Sequence, residues 1–320
     1  MISRLTHSVM DAMMCAVMNT TQWRLRHHAV TRERLEAYLD ECSALDRESY
    51  YSLPVPEDTA WFRDKNRLSW NSPLPGIHPE NNTAHADLYD APDPKGKPTI
   101  ILLHALMSAN DLGYRRIASR FNTQGWNVLF PHLPYHYRRR PKGHANGALT
   151  ITSDIVRNAE ILRQSVIELR QLIRWARQRG SRRIALLGTS YGGWVGALTL
   201  GVERTDFTIL LQPIADVSHA TFDSPASRTM SSYLKKNGIS PKIISRHAHL
   251  SSPLHLTPLT TPDRITIIGG AYDRLSPSKS LQSLSARWGG TPYLEVPQGH
   301  FGYSAMQCAL KVSDLYLNES

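Results

Sequence analysis

The chain has 320 residues, a net charge of +10, 41% apolar residues and 20% charged residues. This is enough chain for a full hydrophobic core, and no apolar run approaches the length that crosses a membrane. The widely spaced Cys15, Cys42 and Cys308 form neither a disulfide framework nor a metal-binding pattern and read as reduced thiols. The positive charge is compatible with an anionic surface or substrate. Without a defined patch it reads as general basicity, and no nucleic-acid partner is expected.

From the N-terminus, Val9 to Val17 is apolar but interrupted by Asp11, and no small-residue cleavage site follows it. That pattern is a poor signal peptide and too short for a membrane span. An amphipathic helix packed on the body is expected, in an uncleaved cytoplasmic chain with at most peripheral membrane contact. Residues 1 to about 48 read as helical, with Thr31 as a cap and Leu35, Tyr38 and Leu39 on one face. Prolines at 54, 56, 73, 75, 79, 92 and 94 then rule out helix. Trp61-Phe62 and Leu68 to Trp70 are expected as short edge strands or anchors, and Ala84 to Asp90 as a further strand. Residues 1–83 are therefore expected to be an N-terminal helical and proline-rich extension, and 84–320 the main domain.

Beyond residue 97 the rhythm is strand, loop, helix. Strands are predicted at 98–104, 126–130, 184–187, 207–211, 265–268 and 293–296. Helices are predicted at 111–124, 151–179, 275–288 and 303–317. Alternation of this kind implies an α/β fold, with a mostly parallel sheet covered on both faces. Sites in such sheets collect at the carboxyl ends of the strands. Residues 217–258, rich in Ser, His and Pro, read as a modest lid.

One stretch organises the rest. Ile184 to Leu187 runs into Gly188-Thr-Ser-Tyr-Gly192 and then into Trp194, Val195, Ala197 and Leu198 at helical spacing. A strand–turn–helix this tight needs small residues either side of the central one, and it lifts the Ser190 hydroxyl clear of the sheet at a helix N-terminus. His300, in the loop after the last strand, is the expected base. Asp273, after strand 265–268, is the expected orienting acid, with Asp216 as its rival. Two backbone N–H groups are expected to form an oxyanion hole: that of Tyr191, and that of Leu106 in the loop after strand 98–104, with Met107 as the alternative.

The order Ser190, Asp273, His300 resembles the α/β-hydrolase superfamily over residues 84 to 317. The resemblance implies nucleophile Ser190, acid Asp273 and base His300, in a serine hydrolase that cleaves a carboxylic ester or thioester without metal or cofactor. A serine peptidase or a non-catalytic binding protein of the same fold are the alternatives. Gly113-Tyr-Arg-Arg, the aromatic-basic loop after Phe130 and Gly299-His-Phe are similar to the alpha/beta hydrolase domain-containing type 18 group. The family usually has His-Gly where this chain has His104-Ala105, so a narrowed or shifted oxyanion hole is expected. Arg138, Arg139, Arg140 and Lys142 leave a strand end on the site face. As substrate-binding residues they would favour an anionic acyl substrate. His132 and His136 have a ligand-like spacing, but no carboxylate or cysteine joins them and no metal is expected.

Overall fold

The structure is a computed structural model describing residues 4–26, 29–54 and 59–317. Pro56 lies outside these residues, as do positions 1–3 and 27–28 of the expected helical stretch. Helices α1 (Arg4–Arg24), α2 (Arg32–Ser43) and α3 (Arg47–Tyr50) come first. Strands β1 (Phe62–Asp64), β2 (Arg67–Asn71), β3 (Thr83–Tyr89) and β4 (Thr99–Leu103) follow. Then come α4 (Leu112–Thr123), β5 (Asn127–His132), α5 (Ile155–Gln178), β6 (Ile184–Thr189), α6 (Tyr191–Thr199) and β7 (Phe207–Leu211). The segment expected as a lid carries α7 (Val217–Phe222), α8 (Arg228–Lys236), α9 (Pro241–Ile244) and α10 (Ala248–Ser251). The chain ends with β8 (Ile265–Gly270), α11 (Ser278–Arg287), β9 (Tyr293–Val296) and α12 (Ser304–Leu317).

Local chemistry sets these boundaries. Thr31 caps α2 by accepting from the Arg34 N–H, and Asp154 caps α5 by accepting from the Arg157 N–H. The chain leaves α5 through Gly180, whose φ of +87° is a left-handed geometry that costs glycine little.

The strand order is β1-β2-β3-β5-β4-β6-β7-β8-β9. Strands β4 to β9 pair parallel, while β1, β2 and β3 add an antiparallel margin beside β5. Strand β4 alternates its side chains between two layers. Ile100 and Leu102 pack with Phe121 of α4 and Ala309 of α12, and Ile101 and Leu103 with Val166 of α5 and Val195 of α6. The chain runs from β4 outward to β5 and returns across β4 to β6. Loops leaving the carboxyl ends of β4 and β6 therefore diverge and leave a crevice, the usual ligand position in a doubly wound sheet.

The expected boundary at 83/84 is corrected. It falls inside the β2–β3 pairing, which runs from Arg67↔Asp87 to Asn71↔Thr83. An exposed edge at β3 would leave unpaired backbone groups, and the preceding segment supplies the partner strands. Residues 62–83 thus belong to the main sheet. The N-terminal helices are also tied in: Asn19 of α1 donates to the Pro225 carbonyl and accepts from the Thr229 N–H of α8.

Candidate active site

Ser190 links β6 to α6 with φ +53° and ψ −113°, a backbone conformation that costs a non-glycine residue about 1–3 kcal/mol. Its surroundings hold it there. The Ser190 N–H donates to the Leu211 carbonyl at 2.8 Å, and its carbonyl accepts the first helical bond from Trp194 at 2.9 Å. The flanking glycines are a matter of space. A Cβ on Gly188 would lie 2.7 Å from the Gly192 carbonyl oxygen, and one on Gly192 would lie 2.5 Å from that of Leu103. The β6 strand, the α6 helix and the end of β4 converge on this turn.

Ser190 Oγ lies 2.8 Å from His300 Nε2, and His300 Nδ1 lies 2.8 Å from Asp273 Oδ2. The structure thus brings together three residues that are far apart in sequence. Asp273 splits its two oxygens between tasks. Oδ1 accepts the Leu275 and Ser276 N–H groups at 2.8 and 2.9 Å and so holds its own turn. Oδ2 faces the imidazole and also accepts from Gln212 Nε2 at 2.6 Å. The rival, Asp216, is spent on the His219 N–H as the cap of α7. Burial works against protonation of His300, but the Asp273 charge and hydrogen bond outweigh it, with Asp11 adding to them, and its pKa lies above the ordinary histidine value.

Three residues at this site were not foreseen. Gln212 directly follows β7 and bridges Asp273 to the Gly299 carbonyl, while Gln298 Nε2 donates to Gln212 Oε1 at 2.9 Å. Asp11 reaches the His300 loop from α1. Position after a strand end was the available signal for Gln212. For Asp11 it was the lone acid in an apolar run.

In the loop after β4, the left-handed residue is Met107 at φ +55°, not Ala105. Alanine therefore occupies a position that makes no demand for glycine. The Ala105 N–H donates to the Tyr114 hydroxyl at 3.0 Å, and the Met107 N–H donates to His136 Nε2 at 3.2 Å. Between them, the Leu106 N–H has no hydrogen-bond partner among the described residues. The Tyr191 N–H, first in α6, has no intrahelical acceptor either. Leu106, Tyr191 and Ser190 line one cavity. Met107, the alternative donor, is committed to His136.

His136 is itself fixed. Its Nδ1 lies 2.9 Å from the Pro134 carbonyl, which makes Nδ1 the donor and Nε2 the acceptor. Burial pushes its pKa down to about 4, so the ring is neutral. His132 pairs with Asp87 at 3.3 Å.

The basic loop differs from expectation. Arg139 is fully buried and forks onto Glu168 at 2.5 and 2.9 Å, and it also donates to the Asn81 and His132 carbonyls. Its guanidinium stitches the loop to α5 and to the Asn81 backbone, so it is structural. Arg138, Arg140 and Lys142 are exposed, and none of the four lines the cavity.

That cavity has a volume of about 530 Å³. Its wall is largely apolar, with Leu106, Leu162, Ile214, Val217, Met230 and Phe301 around Ser190 and His300, and among the described residues it includes no Asp, Glu, Lys or Arg. Residues of the 217–258 segment line it, among them Val217, Met230 and Ile244. Helices α1 and α2 contribute Met14, Val17, Leu35 and Tyr38 as well, which was not expected of an extension. Among the described residues, no helix is long and apolar enough to cross a membrane.

Residues 69–222 match the family model described as alpha/beta hydrolase domain containing 18. Two curated relatives from Mycobacterium tuberculosis, each described as an uncharacterized protein, are 28% identical over 229 residues, which is 70% of this chain and 54% of theirs. The chain thus spans about half the length of these relatives. Acetyl xylan esterase 1 from Thermoanaerobacterium sp. superposes with a TM-score of 0.55 at 13% identity, over 91% of this chain and 96% of that one. The acetyl xylan esterase from Paenibacillus sp. R4 gives 0.56 at 13% identity, over 89% and 95%. The esterase Est2 from Thermogutta terrifontis gives 0.50 at 17% identity, over 76% and 89%. At such identities the likeness to the solved structures is one of fold.

Proposed function

We propose that the chain, which has the α/β-hydrolase fold and matches the alpha/beta hydrolase domain containing 18 model over residues 69–222, is a serine hydrolase of neutral carboxylic esters or thioesters with apolar acyl groups. The observation that carries this reading is the Ser190–His300–Asp273 hydrogen-bonded chain at the wall of an uncharged apolar cavity.

In this mechanism Ser190 Oγ attacks the acyl carbonyl carbon while His300 Nε2 takes its proton. Asp273 keeps the other ring proton on Nδ1 and stabilises the imidazolium that forms. The carbonyl oxygen becomes an oxyanion held by the Tyr191 and Leu106 N–H groups, aided by the N-terminus of α6. Collapse expels the alkoxide or thiolate, which takes the proton from His300 Nε2, and leaves an acyl-Ser190 ester. Water then attacks that ester with His300 again as base, and the carboxylic acid departs. The acyl group lies in the cavity. The anionic acyl group expected from the basic loop does not suit this wall. A carboxylate or phosphate there would be desolvated without a partner, at a cost of several kcal/mol.

Paired p-nitrophenyl esters of equal chain length, one acyl group neutral and one ending in a carboxylate, test this directly. The neutral ester should be favoured by at least about 100-fold in kcat/KM, roughly the factor that 2.7 kcal/mol supplies. Preference for the carboxylate would sink the acyl assignment. A folded protein inert on every ester would sink the enzyme assignment.

A further inference from the structure

We propose that Asp11, on the N-terminal helix α1, is a positioning residue that sets the backbone of the catalytic histidine; this rests on the serine-hydrolase reading. Asp11 is buried at 6% exposure. Its Oδ2 accepts the His300 N–H at 2.9 Å and its Oδ1 accepts the Phe301 N–H at 3.1 Å. Both carboxylate oxygens are thus spent on consecutive amides of one loop, 289 and 290 residues away in sequence. Carboxylate-to-amide bonds are charge-assisted and directional, so this pair fixes the peptide from which the imidazole projects.

The neighbouring glycine has the same explanation. A Cβ on Gly299 would lie 2.4 Å from Asp11 Oδ2, so the carboxylate approaches the loop only because residue 299 has no side chain. The imidazole is therefore held from two directions. Asp273 holds Nδ1, and Asp11 holds the backbone behind the ring.

Helix α1 also links this loop to the lid. Two turns beyond Asp11, Asn19 bonds Pro225 and Thr229, and Gln22 Nε2 donates to the Ala226 carbonyl at 3.2 Å. Met14 and Val17, between these anchors, line the cavity. One helix thus roofs the acyl cavity, fastens the lid and positions the base. Undocking of α1 would open the cavity and release His300 together.

Asp11 also contributes to the raised pKa of His300, after the larger effects of burial and Asp273. Other ionisable groups of this face among the described residues include Arg4, His7 and Cys15 on α1, Arg228 on α8, and Tyr272 and Arg274 after β8. None of them receives the two loop amides.

Asp11→Asn keeps the shape and removes the charge, and its nitrogen sets a donor against one loop N–H. Two readouts decide the question. The first is the rate at which a fluorophosphonate labels Ser190 in wild type, Asp11→Asn and Gly299→Ala. The second is the His300 titration followed by NMR in Ser190→Ala, with and without Asp11→Asn, which needs no catalysis. Labelling should slow by about 10- to 100-fold, the cost of a small misplacement of a catalytic group. The His300 pKa should fall. Gly299→Ala should reproduce the slower labelling, and combining it with Asp11→Asn should add little. Unchanged labelling overturns the proposal. Slower labelling with an unmoved titration also overturns it, because it marks general loosening. If wild-type Ser190 takes no label, the hydrolase reading fails, and the titration alone then decides whether Asp11 acts on His300.

Discussion

Replacing Asp273 by Asn removes one charge and almost no volume, and the hydrogen bonds around it determine the outcome. Oδ1 receives two backbone N–H groups, from Leu275 and Ser276, so the asparagine carbonyl oxygen must stay there. The amide nitrogen is then forced into the place of Oδ2, facing His300 Nδ1 and Gln212 Nε2. Both of these are donors in the native arrangement. The imidazole responds by moving its proton to Nε2, where it points at Ser190 Oγ and cannot accept the serine proton. Loss of the correct tautomer lowers kcat by about 10⁴, which is a barrier increase of roughly 5.4 kcal/mol. The assay is kcat/KM on a neutral p-nitrophenyl ester, with circular dichroism to show that the fold survives. Asp216→Asn is the control. It keeps a side-chain oxygen to accept the His219 N–H at the cap of α7, and it should retain most stability and activity. An Asp273→Asn enzyme within tenfold of wild type, or an Asp216→Asn enzyme that is the more damaged of the two, refutes the reasoning.

Breaking the buried Arg139–Glu168 pair with Arg139→Met should destabilise the fold by about 3–5 kcal/mol in urea unfolding, whereas Arg138→Ala with Arg140→Ala should change neither stability nor ester turnover. A Cβ on Gly147 would lie 2.2 Å from His136 Nε2, so Gly147→Ala should displace the ring that holds Met107 and lower kcat more than it changes KM. Acid should destabilise the fold through His136 and His247, which burial depresses from 6.5 to about 4. Between those values the unfolded chain binds protons that the folded chain refuses, so stability falls as pH drops through that window. His300 has the opposite sign. Its raised pKa adds stability on the acid side, lost as pH rises through the folded value, and the acid limb of kcat/KM should lie above pH 6.5, the ordinary value. Equilibrium unfolding and pH–rate profiles read these two effects separately.

Much of the fold was legible because its strands are short apolar runs punctuated by glycine and proline. Strands 207–211 and 293–296 fall where the sequence places them. The Ser190 elbow was legible for a steric reason, since only glycine fits where three backbones converge. Asp273 and His300 were legible from their positions after successive strands. Contacts made by long-range packing were not. Nothing local distinguishes Arg139 from Arg138 and Arg140, yet Glu168 lies within reach of one of them and it alone is buried. Asp11 reads locally as a break in an apolar run, and its partners are 289 residues away. The domain boundary failed for a similar reason. β1 and β2 are short and mostly polar outside Leu68 and Trp70, and only pairing with β3 makes them part of the sheet.

The central claim is that Ser190 is a nucleophile activated by His300. Incubation of the wild-type protein with a fluorophosphonate, followed by peptide mass spectrometry, tests it most directly. Stoichiometric label on Ser190, absent from Ser190→Ala and slowed by orders of magnitude in His300→Ala, is the predicted result. A folded wild-type protein that carries no label, or carries it on another residue, would contradict the account.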